Sequence, residues 1–170
     1  MKHKNILIML SFIAAGVALP FLSGMVHIEQ HILLMQAVVI VCGFFLPLNM
    51  AIVCAAIIPF LCWLLLQFPT FFPALPVTVC QMVAIVSFIN MMHFALGLSP
   101  FKSLLISILL GWLVLFSAAS ILSWLVADFS AVSYSFGIIA EGWPGLIAQL
   151  LLIPLFVTHW EKRHAIRVDT

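Results

Sequence analysis

Apolar residues fill six long runs along this chain, separated by short clusters of proline, glycine, amide or charge. The runs cover 6–22, 31–46, 50–66, 77–96, 104–126 and 143–160. Runs of this length and greasiness predict membrane-crossing helices. The expected fold is an all-α membrane protein of six transmembrane helices in a single domain, 1–170.

The last run is the most structured. Glu141-Gly142-Trp143-Pro144-Gly145 precedes a greasy stretch closed by Trp160-Glu161-Lys162-Arg163. Pro144 suits a first helical turn, where its missing N–H costs nothing. Glu141 just before it suits the positive end of the helix dipole. Inside the run, Gln149 and Pro154 are not what a purely lipid-facing helix needs. Either Gln149 bonds a neighbouring helix and Pro154 bends the span, or one face borders a polar cavity. Glu141, Gly145, Ala148 and Gln149 share roughly one face at helical spacing.

The breaks carry further signals. Lys2 and Lys4 precede the first run, as in a signal peptide, but the run is long and no clear cleavage site follows, so a retained first span is expected. Within it Ala14 and Ala18 make a small-x-x-x-small face, for internal packing or for a partner subunit. His27 and His31 have the spacing of two metal ligands on one helix face, with no third ligand nearby. Between the third and fourth runs lie Pro69, Pro73 and Pro76 with Phe68, Phe71 and Phe72. This uncharged segment either dips into the lipid interface or forms a stiff lid over a cavity. The fourth run is the most polar, with Thr78, Gln81, Ser87, Asn90 and His93, which serve as helix–helix glue or face a substrate. Residues 128–137 read as an outer loop.

Composition narrows the class. The chain is 66% hydrophobic and 6% charged, with mean hydropathy +1.34. That excludes a soluble domain, and a formal net charge of +1 makes nucleic acid an implausible partner. Cys42, Cys54, Cys62 and Cys80 all lie in apolar runs without a C-x-x-C pair and read as small core residues. Lys2, Lys4, Lys102, Lys162, Arg163 and Arg167 all fall on one side of a six-span topology. Glu29, Asp128 and Glu141 fall on the other. The positive-inside rule therefore places both termini in the cytoplasm. The outer half then holds no cation, which favours a neutral or cationic ligand over an anionic one.

Catalytic signatures are missing. No Ser/His/Asp set, H-E-x-x-H, phosphate loop or intramembrane carboxylate pair occurs. No cofactor is expected, and His93 lacks a His partner on another span for a haem. A standalone small carrier or channel, a membrane scaffold and a redox membrane enzyme remain as alternatives to a binding protein.

Gly142-Trp143-Pro144-Gly145-Leu146-Ile147-Ala148-Gln149-Leu150 with Ile153-Pro154 resembles the last helix of the substrate-specific (S) components of energy-coupling-factor (ECF) vitamin transporters. The proline-rich segment Phe68–Pro76, the start His31-Ile32 with Cys42-Gly43-Phe44, and the Ala14/Ala18 pair are similar to the corresponding parts of that family. Leu33 stands where the family often has Pro, and Gln81 near where many members are acidic. His3 lies on the expected cytoplasmic side, unlike the outward N-terminal His of the nickel and cobalt members. The resemblance implies a high-affinity binder without ATPase activity of its own, in a bacterial cytoplasmic (inner) membrane. It would capture a vitamin-like micronutrient outside and topple when a coupling subunit and two ATPase subunits act. Gln81, Glu141, Trp143 and Gln149 are then the binding candidates, with Trp124 as a stacking wall and His31 as a further contact. Phe71 and Phe72 would form the lid, and Ala14 and Ala18 the docking face on the coupling subunit.

Overall fold

A computed structural model describes residues 2–25, 31–126 and 129–165 of the chain. Six α-helices follow one another: α1 Lys2–Met25, α2 His31–Phe45, α3 Leu48–Leu66, α4 Ala74–Asn90, α5 Pro100–Leu125 and α6 Ala131–Ala165. A π-helical turn, Met91–Ala95, extends α4. Among the described residues, five helices are long and apolar enough to cross a membrane. The exception, α2, has 15 residues, about 22 Å at the rise of an α-helix, against about 30 Å of hydrocarbon.

Local chemistry sets the helix ends. Pro47 stops α2, and its carbonyl accepts from the N–H groups of Met50 and Ala51 to start α3. Asn90 Nδ2 reaches across from α4 to the Gly43 and Leu46 carbonyls at 3.4 and 3.3 Å. These are orphan acceptors at the end of α2, which helix ends leave without an intrahelical partner. Gly97, at φ 64°, turns the chain after the π segment, and Pro100 then occupies the first turn of α5.

Two apolar clusters hold the bundle. In one, Met35, Val39 and Cys42 of α2 meet Cys54, Ala55, Ile58 and Cys62 of α3 and Met82 and Val86 of α4, with α1 packed outside. In the other, Ile40 and Phe44 of α2 meet Ile85 and Ile89 of α4, Leu104 and Ile108 of α5, and Ile153 and Val157 of α6. Helices α2 and α4 contribute to both and form the centre. The outward faces carry Leu7, Leu10, Leu65, Leu113, Leu152 and Leu155, all exposed. An apolar exterior around a packed interior is the arrangement of a multi-pass membrane protein.

The structure corrects three expectations. Helix α6 begins at Ala131, so much of the expected outer loop 128–137 is helical. Ser130 starts it: its carbonyl accepts from the Tyr134 N–H at 3.0 Å, and its Oγ accepts from the Ser133 N–H at 3.4 Å. Pro144 accordingly lies inside the helix rather than in its first turn. Cys80 is exposed, whereas Cys42, Cys54 and Cys62 are buried as expected.

Candidate functional site

Lys102, Lys162 and Arg163 sit near the start of α5 and the end of α6, at one end of the bundle. The opposite end is where α2, α4 and α6 begin. Gln36 and Gln81 lie within the first two turns of α2 and α4, so both amides are near that cation-free end. They line a cleft with Trp112 of α5 and Ile138, Ile139, Gly142, Trp143 and Leu146 of α6. Gln36 and Gln81 are only 4% and 3% exposed. No hydrogen bond to another described residue occupies either amide. Trp143 is 58% exposed and forms the outer edge of the cleft. The space enclosed is ≈ 20 Å³, room for about one water.

Hydroxyl groups continue the polar surface one turn further out. The Tyr134 hydroxyl lies beside Thr78 of α4. Tyr134 Oη and Ser135 Oγ are buried without a hydrogen-bond partner among the described residues. Tyr134 and Ser135 precede the cleft residues Ile138 and Ile139 by four positions and so share their faces of α6. Ser107 of α5 is likewise buried without a partner among the described residues, but three other serines behave differently. Ser11, Ser87 and Ser117 each donate to the carbonyl four residues earlier, the usual way a helix absorbs a hydroxyl.

The polar row of α4 therefore divides by depth. Ser87 and Asn90 are satisfied by backbone carbonyls and act as structural glue. Gln81 lines the cleft, and Thr78 lies beside the Tyr134 hydroxyl. At the far end His93 Nδ1–H donates to the Leu98 carbonyl at 2.9 Å, and Nε2 meets Glu161 Oε1 at 2.8 Å. That pair ties the π segment of α4 to the end of α6.

Of the other expected site residues, Gln149 is buried on α6, three positions beyond the cleft residue Leu146. Trp124 is 93% exposed and lines a separate shallow depression with Ser120, Ile121 and Leu125, away from Gln81 and Trp143. Phe71 packs on Trp63 of α3, ring centroids 4.7 Å apart, and neither Phe71 nor Phe72 borders the cleft. The Glu141 and His31 side chains, and His27, lie outside the described residues. Among the described residues no group of three His, Cys, Asp or Glu forms a metal cluster.

Gln36, Trp112, Tyr134 and Ser135 were not among the binding candidates from sequence. Gln36 had a usable signal: like Gln81 it is an amide two turns or less into a greasy helix that starts at the same end. Ser135 had none, because its segment read as a loop.

Ala14 and Ala18 are both exposed. With Ile13, Val17 and Phe21 of α1 and Leu61, Leu65 and Leu66 of α3 they line an apolar groove of ≈ 570 Å³. Between the two alanines, Gly16 packs inward from α1 against Ile58, and Ala15 packs on the first apolar cluster. Comparison with protein families, with curated proteins and with solved structures gives no significant match.

Proposed function

We propose that this chain is the substrate-binding membrane subunit of an ECF-type ABC importer, capturing a vitamin-like micronutrient for ATP-driven uptake. The observation that carries the reading is the cleft. A bundle otherwise packed with aliphatic side chains sets two amides and two indoles around one opening, at the end away from its cations. Polar groups inside a membrane span are costly and mark ligand paths or helix glue. Here the glue is elsewhere on the same helix. The groove over Ala14 and Ala18 supports the second half of the reading, because its small side chains let another membrane helix approach closely. The resemblance of the last helix and of the proline-rich segment to S components points the same way.

In this reading all six helices cross a bacterial cytoplasmic membrane. Both termini are inside with the cations, and the cleft opens outward. The chain has no ATPase of its own, so a coupling subunit with two ATPase subunits drives transport. Detergent-purified protein from cells grown in rich medium is denatured, and the small molecules it releases are identified by mass spectrometry. A vitamin-like compound at about one per chain is the expected result. Protein that releases nothing, and whose deletion leaves micronutrient uptake unchanged, would count against the reading.

A further inference from the structure

We infer that the cleft takes an uncharged, planar heterocycle with an amide-type edge, a donor beside an acceptor. The inference rests on the binding-protein reading above and names the class of its substrate. The lining decides between ligand chemistries. An anion needs a cation or a helix N-terminus, but the described lining residues hold no Lys, Arg or His, and Gln36 and Gln81 lie beyond the first turns of α2 and α4, whose N–H groups are the free ones. A desolvated cation needs a carboxylate, and among the described residues the lining holds no Asp or Glu. A purely aliphatic ligand would leave the Gln36 and Gln81 amides, and the Tyr134 and Ser135 hydroxyls one turn away, without partners in a medium of low polarity.

A carboxamide offers one N–H donor and one carbonyl acceptor side by side. Its natural complement is a lactam or imide edge, which offers the same pair reversed. Gln36 and Gln81 come from neighbouring helices, α2 and α4, and can engage two edges of one ring. Trp112 and Trp143 supply the flat apolar surface that a planar ring system stacks against. Tyr134 and Ser135 place further hydroxyls beside it for a polar substituent.

Such a ring requires the cleft to widen. The present ≈ 20 Å³ compares with about 150 Å³ for a cavity that accepts benzene. The chain provides for this at Pro144, directly after the lining residues Gly142 and Trp143. Pro144 has no N–H to donate to the Ala140 carbonyl, so α6 is weakest against bending there. The first part of α6 can swing outward and carry Ile138, Ile139 and Trp143 with it.

The test uses the full chain in detergent, produced in minimal medium. It is titrated with lumazine, a neutral bicycle with an imide edge, and with 1,3-dimethyllumazine, in which methyl groups block that edge. Lumazine is expected to bind and to change the tryptophan fluorescence. Its dimethyl derivative, and lumazine on Gln81→Leu or Gln36→Leu, should bind about three- to tenfold more weakly. Replacing a buried amide by an apolar side chain of similar size leaves the melting temperature unchanged or higher, which separates lost recognition from lost folding. Failure of lumazine to bind, or equal binding of both compounds, overturns the inference. So does the release of an aliphatic or charged compound from rich-medium protein at one per chain, although the binding-protein reading would then stand. Release of nothing and no lumazine binding, together with micronutrient uptake unchanged on deletion, removes both.

Discussion

At the scale of single residues, the small side chains of this protein have distinct jobs that one pattern conceals. Gly16, Ala14 and Ala18 lie within five residues of one another on α1. Gly16 is buried against Ile58, where an added Cβ would sit 2.7 Å from Cδ1. Ala14 and Ala18 point to the groove. Gly111 is tighter than Gly16: a Cβ there would overlap Ile85 Cγ1, a fully buried branch of α4. Gly111→Ala gains about 1 kcal/mol of helix propensity but overpacks the α4–α5 contact at about 1–3 kcal/mol. Packing is the larger effect, so the variant should melt below wild type in detergent. An unchanged or higher melting temperature would show that α4 and α5 have room to separate.

At the scale of elements, α6 does most to build the site. It reaches from Ala131 to Ala165 as one helix, because Ser130 caps a segment whose apolar residues are too few to announce a span. Ser130→Ala removes the side-chain acceptor for the Ser133 N–H and should cost about 0.5–2 kcal/mol. The loss belongs to the first turns, so hydrogen exchange should quicken around Ser133, Tyr134 and Ser135 while the Ile153–Val157 region stays protected. Uniform exchange along the helix would contradict a local cap. The other end of α6 is held through Glu161 and His93. Beyond Pro154 the helix is thus tied by a polar contact, and before Pro144 by packing, with Phe136 against Phe116 of α5 and Ser135 buried.

At the scale of the whole molecule, the two features of the functional reading lie on different sides. The cleft belongs to α2, α4, α5 and α6, and the groove to α1 and α3. Ligand capture and partner docking can therefore be separated by mutation. Ala14→Leu with Ala18→Leu fills the groove without touching the core, since both positions are exposed. The double variant should keep its melting temperature and its bound ligand. Uptake should fall by about tenfold or more, the effect of losing about 1.4 kcal/mol at a helix–helix contact. Loss of ligand in step with uptake would instead assign α1 to the binding site.

The sequence by itself determined the number of helices and, apart from the start of α6, their approximate limits, because hydropathy and proline punctuation are local properties. It also determined that Lys102, Lys162 and Arg163 gather at one end, since charge cannot sit within the apolar runs. Gln81 and Trp143, which line the cleft, were legible as candidates because polar and indole groups stand out in a greasy run. Only the tertiary structure decided that Gln36 and Trp112 join them, that Trp124 faces outward, and that Gly16 rather than Ala14 or Ala18 packs inward. The reason is physical. In a membrane a leucine facing lipid and a leucine facing another helix have the same hydropathy. The amphipathic stripe that would orient a helix in a soluble protein is therefore nearly absent. Which faces meet is then set by side-chain shape across helices distant in the chain, as where Gly111 admits Ile85.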